Sequence, residues 1–126
     1  VNPWPWSLEL GFNQAQLVEE HTCTLYLAGQ TAVDEHGHPQ HKGNMAGQIE
    51  LALDNLESVL ASAAMTLENL VRLNIYTTDI DQLITHYEVI RSRFEEAGAA
   101  PPGTLLGVAR LGFPELLVEF EGTAVA

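Results

Sequence analysis

The chain has 126 residues, a length that fits one domain (1–126) able to bury a core without disulfides. Seventeen Asp and Glu against five Lys and Arg give a formal net charge of −12, a surface that repels polyanions and argues against nucleic acid as a partner. No apolar run approaches the roughly 18 residues of a membrane span, and the start VNPWPW lacks the basic end and apolar centre of a secretory signal, so a cytoplasmic location away from membranes is expected.

Residues 1–7 carry two prolines and two tryptophans, which argue against regular helix and for an arm lying on the domain or on a neighbouring subunit. Residues 9–18 read as a first extended segment. Residues 22–28 (TCTLYLA) are a clearer strand, rich in β-branched and aromatic residues and ending at Gly29. Cys23 has no partner in the chain and reads as a buried or half-buried thiol. Residues 34–43 (DEHGHPQHKG) are a loop full of turn formers. Its His36, His38 and His41 lack a Cys, Asp or Glu at a recognised ligand spacing, so no metal site is expected there.

A long helix is predicted over 44–64, with Asn44 as its N-cap. Ile49, Leu53, Leu56, Leu60 and Ala63 share one face, with Gln48, Asp54, Glu57 and Ser58 largely away from it. After a turn at 66–69, residues 71–77 alternate as a strand: Val71, Leu73 and Ile75 on one side, Arg72, Asn74 and Tyr76 on the other. Asp81 is expected to cap a second helix with Leu83, Tyr87, Ile90 and Phe94 on its buried stripe, stopping near Gly98. AAPPG forces an extended link. Two strands follow, at 104–111 and 116–123. The order implies an α+β fold with a mixed sheet and two amphipathic helices that can cover only one face. The other face, bearing Arg72, Asn74 and Tyr76, is too polar for a dry core and too apolar for open water, which points to burial in an oligomer.

Four stretches in order carry a resemblance: GFNQA at 11–15, LYLAGQTAVDEHGHP at 25–39, LDNLESVLASAAMTLENLVRLNIYTTDI at 53–80 and PPGTLLGVARLGFPELLVEFEGTAVA at 101–126. Together they resemble the YjgF/RidA family of reactive-imine deaminases, some of whose members are labelled endoribonucleases. The resemblance implies a chorismate-mutase-like fold and a homotrimer whose sheets form a central β-barrel, with clefts between subunits. It also implies hydrolysis of enamines and imines, needing no cofactor, in which an arginine clamps the substrate carboxylate and a glutamate helps to position water. Carried over by position, the arginine falls at Gly103, a phenolic residue at Phe12 and a thiol at Leu105, while the glutamate is kept as Glu119.

A buried guanidinium–carboxylate pair is worth about 2–5 kcal/mol, and Gly103 offers only backbone. Arg110 lies seven residues further along the predicted strand, roughly 23 Å away at strand rise, and is not expected to replace it. The expected cleft therefore comprises Phe12 and Gln14, the turn Gly29–Gln30–Thr31, Asn74 and Tyr76, Gly103, Thr104 and Leu105, and Glu119. Such a lining suits a small, partly apolar, neutral metabolite. Glu119 is the candidate general acid or base, with an ion pair to Arg110 or Arg72 as its alternative role. The expected function is that of a divergent family member acting on an imine, enamine or related carbonyl compound. The alternative is a trimeric module that binds a small ligand or a protein and catalyses nothing. Within this reading, Gly103→Arg is expected to introduce carboxylate binding.

Overall fold

The computed structural model describes residues 1–126. Its elements, in chain order, are α1 (Trp6–Glu9), β1 (Thr24–Tyr26), β2 (Gln30–Thr31), α2 (Met45–Ser62), a 3-10 turn (Leu67–Asn69), β3 (Leu70–Thr77), α3 (Ile80–Thr85), α4 (Tyr87–Glu96), β4 (Leu105–Gly107) and β5 (Val118–Val125). The five strands form one mixed sheet in the order β1-β5-β3-β4, with β2 also paired to β5. β5 is antiparallel to β1, β2 and β3, whereas β3 and β4 run parallel. The expected α+β architecture is therefore present, with the helices gathered on one side of the sheet.

Alternation explains the asymmetry of the two faces. Val118, Phe120, Gly122 and Ala124 of β5 are buried under the helices, while Glu119, Glu121 and Thr123 point the other way. On β3, Leu73 and Ile75 share the buried face, and Arg72, Asn74 and Tyr76 share the open one; Leu70, not the expected Val71, is the buried residue before them, because the register shifts between Leu70 and Arg72. α2 supplies the opposing layer through Ile49, Leu53, Leu56 and Leu60, all fully buried. Asn44 caps it as predicted, accepting the Gly47 N–H at 2.9 Å.

Several expectations are corrected. A short helix follows Pro5 where the prolines argued against one, because Pro fixes a φ suited to a helix start. The stretch 9–18 is no strand. Its backbone is tied to other segments instead, as in Asn13 N–H to the Ala100 carbonyl at 2.9 Å. Cys23 is exposed. The second helix is capped by Asp79, which accepts the Gln82 N–H at 3.1 Å, and it is interrupted at His86 into α3 and α4. Gln48 does not lie away from the apolar face but is wholly buried. Its amide donates to the Glu115 carbonyl at 2.9 Å and accepts the Leu117 N–H at 2.8 Å, pinning the lead-in to β5 against α2. β4 is only three residues long, so Arg110 lies outside it.

Candidate functional site

Most of the residues singled out in the sequence fall into two groups on opposite faces of the sheet, with Thr104 touching both: it borders the cavity that the first group lines, while its N–H donates to Asn74 Oδ1 at 3.2 Å. The first lines an apolar cavity of about 490 Å³ between β3–β4 and α3–α4. Phe12, Gly103, Thr104 and Leu105 all border it, together with Leu73 and Ile75 from the sheet and Ile84, Tyr87, Ile90 and Phe94 from the helices. Sequence reasoning placed Tyr87 and Ile90 in the core. Both also form cavity wall, just after the helix break at His86.

The arm that closes one side is shaped by Gly11, whose φ of +88° only glycine adopts without strain. Gly11 also lets the Arg91 stem approach: a Cβ there would stand 3.0 Å from Arg91 Cγ. Phe12 then turns back, its N–H bonded to the Ser7 carbonyl at 3.1 Å and its ring edge-on to Trp6 with centroids 5.9 Å apart.

Gly103 lies hard against β3. The Pro102 carbonyl accepts the Leu73 N–H at 2.9 Å and the Thr104 carbonyl accepts the Ile75 N–H at 2.8 Å. A Cβ on Gly103 would fall 1.5 Å from the Leu73 carbonyl oxygen. This backbone leaves no room for any side chain at 103, so the expectation that Gly103→Arg simply adds a guanidinium to the cleft is overturned.

The second group sits on the open face. Tyr76 pairs across the ladder with Glu119, and Asn74 with Glu121. Both Tyr76 Oη and Asn74 Nδ2 donate to Glu121 Oε1, at 3.0 and 3.3 Å. Accepting from Tyr76 makes Glu121 hold the phenol in its protonated form, so the Tyr76 pKa is raised. Thr31, opposite Glu119, shares that face, and Gln30, opposite Phe120, the other. Gln14 stands apart from both groups. Its N–H donates to Asn2 Oδ1 at 2.7 Å, and its buried amide nitrogen has no partner.

Glu119 is half-buried, and its carboxylate has neither a hydrogen bond nor an ion pair within the chain. Burial first, and the neighbouring Glu121 charge second, raise its pKa from the ordinary carboxylate value. The anticipated pairing with Arg110 or Arg72 is absent. Arg72 instead donates to Thr104 Oγ1 at 3.0 Å, with no carboxylate partner. Arg91 and Arg93 are engaged with Glu88, Glu95, Asp54 and Glu57.

In the loop after β2, Asp34 Oδ1 accepts the N–H groups of His36 and His38, each at 2.9 Å, and these bonds hold its pKa down. The backbone thus accounts for how this loop is shaped.

Residues 10–126 match the endoribonuclease L-PSP family. A solved Rid-family protein, YyfB of Yersinia pestis, is 32% identical, with a TM-score of 0.88 over 100% of this chain and 96% of that one. A RutC family protein of Synechocystis is 33% identical over 106 residues, 80% of this chain and 77% of its own. The 2-iminobutanoate/2-iminopropanoate deaminase of the rat is 29% identical over 100 residues, covering 79% and 69%.

Proposed function

Because this chain belongs to the endoribonuclease L-PSP family, we propose that it binds a small, weakly polar metabolite in the cavity between β3–β4 and α3–α4, with Glu119 of a neighbouring copy moving protons on it. The single observation that carries this reading is the carboxyl of Glu119: half-buried on the open face, without a hydrogen-bond or ion-pair partner, and with its pKa raised by burial, as suits a group that both gives and takes a proton. Within one copy the sheet separates Glu119 from the cavity. The homotrimer implied by the family resemblance is therefore part of the proposal, since it would let one copy's open face meet another copy's cavity.

The reaction is hydrolysis of an imine, or of the enamine after tautomerisation. Protonated Glu119 gives its proton to the imine nitrogen. Water adds to the carbon as the carboxylate takes a proton from it; Glu119 passes that proton to the amine nitrogen, and the C–N bond breaks as the carboxylate takes the hydroxyl proton, leaving a carbonyl compound, ammonia and protonated Glu119. The rat relative's name supports this reaction class. The substrate differs, in our reading, because Gly103 stands where the resemblance puts an arginine, and Phe12 and Leu105 replace polar groups. RNA cleavage, which the family's name suggests, is disfavoured by the net charge of −12.

Subunit complementation tests the proposal. The N–H imine of acetophenone, added from an anhydrous stock, serves as substrate, and ketone release is followed. Glu119→Gln and the cavity-filling Leu105→Trp should each abolish acceleration. Oligomers mixed from the two should regain part of it, since some clefts then combine an intact cavity with an intact carboxyl. A monomer in solution, or mixed oligomers as inactive as their parents, would sink the shared-cleft reading. The apolar lining favours a second reading, a module that binds without turnover. Binding in the cavity with no acceleration by the unaltered protein would select it.

A further inference from the structure

Resting on the reading of the cavity as a small-molecule site, we infer that it selects an uncharged, ring-bearing compound with one hydrogen-bond acceptor, docked on the Tyr87 hydroxyl. Three observations converge on this class.

Three of the lining side chains are aromatic. Phe12, Tyr87 and Phe94 come from the arm and α4, and aliphatic Leu73, Ile75 and Leu105 from the sheet. Flat faces set around an apolar space of this size favour a ring by stacking and edge contacts.

Arg91 is the one cation among the lining residues, and Arg72, outside the lining, is engaged with Thr104 Oγ1 at 3.0 Å. The Arg91 guanidinium is held outward by a fork on Glu88, at 2.9 Å from Nε and 2.8 Å from Nη2, and by Glu95 at 3.2 Å from Nη1. What Arg91 presents near Gly11 is its aliphatic stem. Two carboxylates around one guanidinium leave this rim with an excess of negative charge. A ligand carboxylate would lose its hydration and meet like charge, so anionic compounds are rejected.

One lining residue also carries an unused polar group. Tyr87 is half-buried, and its hydroxyl has no hydrogen-bond partner within the chain. Burial raises its pKa, so it stays protonated at neutral pH and available as a donor. A ligand carbonyl oxygen can accept a hydrogen bond from it, which fixes orientation in a space that is otherwise non-directional. Tyr87 is thus a specificity-determining residue rather than a core filler.

Three probes of similar shape test this by titration followed by NMR: acetophenone, benzoate and ethylbenzene. Acetophenone should bind at least about tenfold more tightly than benzoate. Tyr87→Phe should weaken acetophenone by about three- to tenfold, the worth of one neutral hydrogen bond, and leave ethylbenzene within about twofold. Unchanged ethylbenzene binding also shows that the variant is folded. Benzoate binding as tightly as acetophenone overturns the inference, as does a Tyr87→Phe effect that is absent or equal for both neutral probes. In those cases ethylbenzene binding that disappears in Leu105→Trp leaves the underlying site intact. Failure of all three probes to bind removes the site itself, and this inference with it.

Discussion

The Glu119 carboxyl lies directly over Gly29: a Cβ at position 29 would stand 2.6 Å from Glu119 Cδ. The missing side chain on β5's neighbour is thus the space in which the carboxyl is half-buried. Gly29→Ala should displace it, because the end of a flexible side chain moves more easily than backbone. The expected outcome is a stability change within about 1 kcal/mol, with the Glu119 pKa falling back toward its ordinary value as solvent reaches it. Carboxyl-carbon NMR titration of the variant checks this.

Gly103 gives the opposite forecast. Its obstacle is the Leu73 carbonyl, backbone of β3 at a position paired with Gly122 of β5. Gly103→Ala should cost about 3 kcal/mol, and Gly103→Arg should be no milder. Urea unfolding at fixed protein concentration measures both. A well-folded Gly103→Arg that gains affinity for pyruvate would show that this segment can open.

Glu119 also predicts a pH dependence. Its pKa is higher folded than unfolded, so between the two values the folded state holds more protons and stability falls as pH rises. Its unfavourable contribution is therefore absent in acid and fully present above the folded pKa. Glu119→Gln should unfold at a higher temperature than the unaltered protein at pH 7, with the gap closing as pH falls through the carboxylate range. Paired thermal melts from pH 3.5 to 7.5 test this, and a gap that widens in acid contradicts it.

Gln48 is the clearest buried polar group. Gln48→Leu keeps the volume but strips the Leu117 N–H of its acceptor and the Glu115 carbonyl of its donor. The expected loss is about 2–3 kcal/mol by urea unfolding, against less than about 1 kcal/mol for Ser58→Ala on the exposed side of the same helix.

Much of the scaffold could be read from spacing. The stripe Ile49–Leu53–Leu56–Leu60 and the alternation along β3 each follow from a regular period, and regular periods survive folding almost unaltered. What could not be read depends on meetings between distant segments. Gln48 looks like a surface residue until β5's approach supplies partners for both ends of its amide. Nothing near Gly103 hints at the Leu73 carbonyl. Asp79 and Asp81 are equally good caps in isolation, and Thr77, whose Oγ1 accepts the Asp79 N–H at 3.1 Å, helps to fix the chain where the helix begins. Phe12, Gly103 and Leu105 were brought together by the family resemblance, and all three border one cavity. That Glu119, Asn74 and Tyr76 lie behind the sheet from it was legible only from the parity of β5 against β3.

β5 is the late-arriving hub of the sheet. Thr24 must wait for Val125, and Arg72 for Thr123, before either has a ladder partner. During synthesis the greasy side of α2 and the edges of β1 and β3 therefore emerge from the ribosome with nothing to cover them. Cooperative folding comes only once the segment Val118–Val125 is free. A stalled or prematurely stopped product of this chain is thus a candidate for chaperone capture rather than a smaller working version of the protein.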